Sequence, residues 1–180
     1  MRPILLTARR SSNVVLIARI AARTAARGVH VLGLVRRAEG VEELRAQGID
    51  NVISTDQDDW REQAARLTGG APIVAGVDSV GGSASGDVLS LLSEGGTLVA
   101  FGAMNSPVME IASSDVIFKQ ATVKGFWGSK VIQQLDAATR GAWFGELIQR
   151  VTDGTLTRPV AGVFDAADIA DAVRLSNTPG

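Results

Sequence analysis

Two adjacent arginines are the side chains of this sequence best suited to bind an anion. Arg36 and Arg37 follow an apolar run at residues 29–35, whose length and flanking residues indicate a strand buried on both faces. At the end of the second strand of a dinucleotide-binding sheet, an acidic residue binds the ribose 2′-hydroxyl of NAD, whereas a basic residue accommodates the 2′-phosphate of NADP. Arg36 comes about 20 residues after Val15, the usual offset. The pair favours NADP(H), and the alternative is a solvated basic turn.

The loop that enters the first helix lacks the glycines that usually accompany such a site. Glycines there let the backbone approach the pyrophosphate, which binds at the helix N-terminus. Residues 7–15 contain no glycine, and Gly28 is the first glycine of the chain. The loop by itself therefore argues against dinucleotide binding and is also typical of an ordinary capped helix. Arg9 and Arg10 either contact a phosphate or are solvated.

Small residues follow two further predicted strands. Asp78-Ser79-Val80-Gly81-Gly82 comes after one of them, and Gly102-Ala103-Met104 comes after the next. Because open α/β sheets bind ligands at the carboxyl ends of their strands, small residues there allow the backbone to approach a ligand. For Gly82 the simpler interpretation, that it only makes the turn, is favoured.

The residue types that most often bind metals or carry acid–base chemistry are scarce. The chain has no cysteine, no tyrosine and one histidine. His30 begins a predicted strand with no acidic neighbour, so we interpret it as a structural histidine. The acidic residues Asp56, Asp58 and Asp59 are interpreted as a solvated loop and helix start. No metal site is expected.

Composition excludes two classes of partner. The net charge of −1 comes with no basic block, so a nucleic-acid partner is not expected. No apolar stretch is long enough to cross a membrane, and the N-terminus lacks a signal-peptide pattern. A cytoplasmic protein is expected.

Apolar periodicity predicts alternating strands and helices along most of the chain. Strands are predicted at residues 3–7, 29–35, 51–54, 73–78, 96–101 and 121–126, with short extended pieces at 108–111 and 160–164. Helices are predicted at residues 12–27, 41–47, 59–67, 83–93, 113–119, 143–153 and 166–175. Strands separated by helices imply parallel pairing through right-handed crossovers. The predicted fold class is α/β, a doubly wound parallel sheet of the Rossmann type.

The two ends of the chain suggest a truncated protein. The sequence begins almost directly on a predicted core strand and stops just after a predicted helix. We expect a dinucleotide-binding domain at residues 1–157. Residues 158–180 are expected to form a C-terminal segment that belongs to a missing catalytic domain.

Five segments resemble the zinc-independent branch of the medium-chain dehydrogenase/reductases, namely the quinone oxidoreductases and NADPH-dependent 2-enoyl thioester reductases. They are LSLLSEGGTLVAFGAM at residues 89–104, followed by IFK at 117–119 and VKGFW at 123–127, together with LVRR at 34–37 and DSVGG at 78–82. The resemblance runs through nearly the whole chain, and the Gly-Gly-Thr and Gly-Phe-Trp segments are specific in this order and spacing.

The resemblance implies a set of cofactor-binding residues. Arg36 and Arg37 would meet the 2′-phosphate of NADP(H), and Ser11, Ser12, Asn13 and Val14 would lie along the pyrophosphate. Ser79 belongs to the same set. The nicotinamide end would be lined by Phe101, Gly102, Ala103, Met104, Phe126, Trp127 and Gly128. The implied reaction is hydride transfer from NADPH to an activated C=C bond of an enoyl thioester, or to a quinone.

Two departures from the family pattern matter. Val14 or Val15 occupies the place of a family glycine, so weakened cofactor binding or an altered loop is expected. The family's substrate-binding domain, which supplies a tyrosine acid, is missing from this chain, so no catalytic residue is assigned and the chain by itself is expected to be inactive.

Two alternatives stay open beside the reductase. One is a non-catalytic dinucleotide-sensing or dimerising module, and the other is a different doubly wound domain such as a methyltransferase. The arginine pair weakens the methyltransferase reading, because that class usually has an acidic residue there to bind a ribose. Association is expected either through an apolar patch or as a homodimer that joins sheet edges.

Overall fold

The computed structural model describes residues 4–8, 29–46, 49–154 and 162–177. Within these ranges, six strands form one parallel sheet in the order β3-β2-β1-β4-β5-β6. The strands are β1 (Ile4–Ala8), β2 (Val31–Val35), β3 (Val52–Ser54), β4 (Ala75–Asp78), β5 (Thr97–Ala100) and β6 (Thr122–Gly125). Parallel pairing and this strand order confirm the predicted α/β Rossmann fold class.

The first compact unit spans Met1–Gln133, and five helices in its described residues connect or follow the strands, the last of them ending one residue beyond it. They are α1 (Ala38–Arg45), α2 (Trp60–Thr68), α3 (Ser83–Leu91), α4 (Ser113–Phe118) and α5 (Gly128–Gln134). Helix α2 ends at Gly69 in the left-handed conformation, as a glycine C-cap should. Helix α4 begins after Ala112 with no side-chain cap.

Strand β2 separates two hydrophobic clusters because its side chains alternate between the faces of the sheet. Leu32 and Leu34 belong to one cluster, with Trp60 of α2 and Leu89 of α3 among its members. Val31 and Val35 belong to the other, which includes Leu44 of α1. All five residues of β2 are buried, so the strand buried on both faces that the apolar run predicted is confirmed.

Helix α3 packs directly on β4 at a glycine. A Cβ atom placed on Gly76 would lie 2.2 Å from Cγ1 of Val88, a side chain with no exposed surface. Real Cβ atoms essentially never approach that closely, so the missing side chain at Gly76 sets the distance between helix and sheet.

We expect Gly76→Ala to lower the free energy of unfolding by about 1–3 kcal/mol, since it overpacks a dense core. Urea denaturation of the chain measures the change. Gly125→Ala in β6 is the matched control, because a Cβ there has no neighbour within 4 Å. Equal stability of the two variants would contradict the close packing at Gly76.

The second compact unit spans Gln134–Gly180 and contains α6 (Ala137–Thr152), a short 3-10 helix (Ala166–Asp168) and α7 (Ile169–Asn177). Asp136 is the N-cap of α6. Its carboxylate accepts hydrogen bonds from the Thr139 amide at 2.8 Å and from the Thr139 hydroxyl at 2.6 Å. These bonds hold the pKa of Asp136 below its usual value.

Because the pKa of Asp136 is lower in the folded state, its ionised cap stabilises the fold above the ordinary aspartate pKa, and that contribution is lost as the pH falls through the lowered value. We expect the difference in unfolding free energy between the unsubstituted chain and Asp136→Asn to shrink on acidification, since asparagine still caps but does not titrate. Denaturation at several pH values measures it. A difference independent of pH would contradict the lowered pKa.

Helix boundaries differ from the predictions in the second half of the chain. Helix α5 was not predicted, and α6 begins at Ala137 instead of residue 143. Neither helix has a buried residue. Of the extended piece predicted at 108–111, only Met109 forms a β-bridge, with Gly82.

Some predictions fall on residues outside the described ranges. These are the helix at residues 12–27 and the domain boundary between 157 and 158, which both stay predictions. None of the helices in the described ranges combines the length and apolar character that a membrane crossing requires.

Candidate functional site

The carboxyl ends of the strands form one edge of the sheet. Register aligns Ala8 with Val35, Val35 with Ser54, Asp78 with Ala100, and Ala100 with Gly125. The order of strands reverses at this edge between β1 and β4, since the chain runs outward through β2 and β3 on one side and through β4 to β6 on the other. Such a reversal opens a ligand-binding crevice in open α/β sheets.

Arg36 and Arg37 lie at this edge, between the end of β2 and the start of α1. Both are exposed, and Arg37 has an extended backbone as the residue preceding the helix. In the described ranges neither guanidinium has an ion-pair partner. Two unpaired cations at the end of the second strand are available for an anionic ligand.

The turn after β4 is organised around a buried carboxylate. Asp78 has no exposed surface. Its Oδ1 accepts from the Val80 amide at 2.9 Å, and its Oδ2 accepts from the Gly81 amide at 3.1 Å and the Ser85 hydroxyl at 2.7 Å. These bonds join the end of β4, the turn and the first turn of α3.

The loop after β5 is hydrogen-bonded along the same turn. The amides of Phe101, Met104 and Asn105 donate to the carbonyls of Asp78, Ser79 and Val80, at 2.9, 3.1 and 2.8 Å respectively. Further along, the Gly82 amide donates to the Val108 carbonyl at 2.9 Å. The segments after β4 and β5 therefore form one continuous backbone unit.

Glycines permit the close approach of these two segments. A Cβ on Gly81 would lie 2.3 Å from the carbonyl oxygen of Ser106, and one on Gly86 would lie 2.4 Å from that of Glu110. Gly81 and Gly82 have φ values of 74° and 63°, which side-chain-bearing residues rarely adopt. The turn interpretation of Gly82 therefore agrees with its conformation.

We expect Gly81→Ala to lower the unfolding free energy more than Gly95→Ala does, by at least about 1 kcal/mol. Gly95 is a matched control because its φ of 68° is similar but a Cβ there meets nothing within 4 Å. Both variants bear the conformational cost of about 1–2 kcal/mol, and only Gly81→Ala adds the clash. Equal losses in urea denaturation would contradict the close contact with Ser106.

Two buried hydroxyls at this edge lack hydrogen-bond partners. Ser79 follows β4 and Ser54 ends β3; each side chain is 3% exposed, and neither Oγ has a partner in the described ranges. A buried polar group without a partner is costly, so it points to a missing ligand or water. Sequence reasoning selected Ser79 and missed Ser54, whose only signal was a polar residue at the end of an apolar strand.

Apolar side chains are exposed at the ends of β5 and β6. Met104 is 52% exposed, Phe126 48% and Trp127 71%. The Phe126 amide donates to the carbonyl of Ala100 at 2.8 Å, which joins the start of this segment to the end of β5. Exposed aromatic and thioether side chains beside a turn of small residues suit a flat apolar ligand group.

The described residues predicted to bind a cofactor all lie at this one edge. They are Arg36, Arg37, Ser79, Phe101, Gly102, Ala103, Met104, Phe126, Trp127 and Gly128. Ser11, Ser12, Asn13 and Val14 lie outside the described residues. Whether any of them binds a cofactor stays a prediction.

Titratable groups away from this edge have structural partners or are solvated. His30 is exposed at the amino end of β2, beside a cleft of about 370 Å³. It is therefore not a buried histidine of the core. Hydrogen bonds from Gln63 and Arg66 lower the pKa of Asp59, which is exposed as expected. Burial raises the pKa of Asp87, and Arg61 at 3.7 Å opposes that effect.

Comparison with known proteins identifies a family for this chain. A family model described as zinc-binding dehydrogenase matches residues 15–142. The mitochondrial enoyl-[acyl-carrier-protein] reductase of Arabidopsis thaliana is 36% identical over 106 residues, which cover 56% of this chain and 28% of that protein. The chain thus spans less than a third of that relative.

Solved structures share the fold. The mitochondrial 2-enoyl thioester reductase heterodimer of Candida tropicalis superposes with a TM-score of 0.78 at 19% identity, over 97% of this chain and 52% of that one. The Escherichia coli quinone oxidoreductase complexed with NADPH superposes with a TM-score of 0.74 at 20% identity, over 99% of this chain and 55% of that one.

The family description names zinc, but the residues present do not fit that metal. The described ranges contain no group of three or more His, Cys, Asp or Glu side chains placed to hold an ion, and the chain has no cysteine and one histidine. The match over residues 15–142 nevertheless establishes the family. The chain belongs to the zinc-binding dehydrogenase family.

Proposed function

We propose that this chain binds NADP(H) at the carboxyl edge of its sheet. In the whole protein it would orient the cofactor for reduction of an activated C=C bond of an enoyl thioester, or of a quinone. The observation that carries the proposal is the pair of exposed arginines at the end of β2, which have no ion-pair partner among the described residues. Support comes from the printed names of similar proteins, an enoyl reductase, a thioester reductase and a quinone oxidoreductase complexed with NADPH.

Different residues of the edge would bind different parts of the cofactor. Arg36 and Arg37 would hold the 2′-phosphate, because guanidinium groups form charge-assisted hydrogen bonds with phosphate oxygens. The orphaned hydroxyl of Ser79 and the backbone of Gly102 and Ala103 would meet the polar part of the nicotinamide end. When bound, the cofactor supplies the hydride.

Apolar side chains at the other end of the site would exclude water. Met104, Phe126 and Trp127 already expose large apolar surfaces there, so covering them with a nicotinamide ring and a substrate is favourable. Exclusion of water protects a hydride donor from side reactions. No described side chain is assigned as a proton donor, and we expect the chain by itself not to catalyse the reduction.

We expect Arg36→Ala to raise the dissociation constant for NADPH by about tenfold to a hundredfold, since it removes a hydrogen bond to a charged group. The dissociation constant for NADH should stay the same, because NADH lacks the 2′-phosphate. Titration followed by tryptophan fluorescence measures both constants, and Trp127 lies at the proposed site.

Arg45→Ala is the matched control. Arg45 is an exposed arginine at the end of α1 whose partner is Glu42 at 3.1 Å, so its removal should leave NADPH binding unchanged. Equal weakening of NADPH and NADH by Arg36→Ala, or none of either, would reject the assignment of the 2′-phosphate site.

A non-catalytic dinucleotide-sensing module is the second candidate. The glycine-free loop at residues 7–15 favours it, because that loop departs from the glycine-containing pattern expected of the catalytic family. Steady-state reduction of an enoyl-CoA by the full-length protein separates the two functions: turnover supports the reductase, and NADPH binding without turnover supports the sensor.

Assembly and compartment follow as further proposals. In the described ranges β6 pairs only with β5, so its outer edge is available for pairing with a second copy in a homodimer. Analytical ultracentrifugation tests this. We retain the cytoplasm as the expected compartment, although the printed names of several relatives include mitochondrial.

A further inference from the structure

We propose that Asp78 is a positioning residue, whose buried carboxylate sets the position of the loop at residues 101–104. The effect of Asp78 on cofactor binding rests on the proposed function, because that loop is part of the proposed nicotinamide end. The positioning of the loop by Asp78 rests on contacts between described residues alone.

Asp78 uses both carboxylate oxygens on the turn that follows it. Oδ1 accepts from the Val80 amide at 2.9 Å, while Oδ2 accepts from the Gly81 amide at 3.1 Å and the Ser85 hydroxyl at 2.7 Å. With no exposed surface on Asp78, water does not compete for these bonds. The carboxylate therefore determines the orientation of the peptide groups between residues 78 and 81.

The carbonyls of that turn hold the next loop. Those of Ser79 and Val80 accept from the amides of Met104 and Asn105, at 3.1 and 2.8 Å. Rotation of the peptide groups of the turn would misdirect both carbonyls. The position of Met104 thus depends on Asp78, although no contact between the two side chains is required.

The glycines leave this turn dependent on its hydrogen bonds. Gly81 and Gly82, with φ of 74° and 63°, have no side chains to restrict their backbone. Val80 is buried and anchors only one residue of the turn. A carboxylate that binds two consecutive amides supplies the restraint that side-chain packing does not.

An amide side chain cannot replace the carboxylate fully. Asparagine has one acceptor oxygen and one NH₂ group, so one of the two backbone amides would face a donor. Asp78→Asn should therefore free part of the turn while keeping the size of the side chain. This separates the hydrogen bonds of Asp78 from its volume.

The test is amide hydrogen exchange of the 180-residue chain, resolved at Met104, Asn105 and Leu98. Asp78→Asn should speed exchange at Met104 and Asn105 by about tenfold or more, because the substitution removes roughly one hydrogen bond to a charged group. Leu98, buried in β5, is the internal reference for global stability. Equal acceleration at all three residues, or none at Met104 and Asn105, would overturn the proposal.

Asp87→Asn is the matched control. Asp87 is a partly buried aspartate of α3 that faces Arg61, so its substitution should leave exchange at Met104 and Asn105 unchanged. Should Asp78→Asn fail to fold, Ser85→Ala takes its place. It removes one of the three donors that hold the carboxylate in place, so selective acceleration at Met104 and Asn105 supports the proposal, and uniform acceleration or none overturns it.

Cofactor titration separates this inference from the proposed function. Asp78→Asn should weaken NADPH and NADH binding by the same factor, because the loop meets the part that they share, whereas Arg36→Ala should weaken NADPH alone. Absence of NADPH binding by the unsubstituted chain would reject the proposed function. Selective acceleration of amide exchange at Met104 and Asn105 in Asp78→Asn would still support Asp78 as the residue that positions the loop.

Discussion

Parallel pairing forces the carboxyl ends of β1 to β6 onto one edge of the sheet, and the candidate site depends on that constraint. Residues far apart in the chain, such as Arg36, Ser79 and Phe126, follow strands that end at the same edge. An antiparallel neighbour would have sent one of these segments to the opposite edge. Strand direction therefore determines where the polar and apolar parts of the site lie, and side-chain chemistry determines what each part can bind.

Small residues allow the layers and loops to reach that arrangement. Gly76 brings α3 against β4, and Gly81 and Gly86 bring the loop after β5 against the turn after β4. In each case a Cβ would lie within 2.4 Å of a neighbouring atom. At these three glycines the neighbouring atoms leave no room for a methyl group. Substitution there is therefore expected to lower the stability of the fold.

The edge has two chemical characters. One end has two unpaired guanidinium groups, and the other exposes Met104, Phe126 and Trp127. A ligand with a terminal phosphate and a flat apolar ring would satisfy both ends, which is the chemistry of NADP(H). The buried, unpartnered hydroxyl of Ser79 belongs to the same edge. The described residues offer no ligand set for zinc.

The parallel α/β sheet could be predicted from the sequence, because apolar runs such as residues 29–35 alternate with amphipathic segments. The periodicity of each segment shows which of its faces is buried, and it is read from residues close together in the chain. The sequence also located the arginine pair and the small residues after β4 and β5. It did not predict α5, because the seven residues of that helix are fewer than the window in which apolar periodicity can be recognised. The burial of Asp78 against its own turn, the contact of Gly81 with Ser106 and the lack of partners for Ser54 and Ser79 in the described ranges became visible in the folded chain alone. These are contacts across strands and loops, where distance in space is independent of distance in sequence.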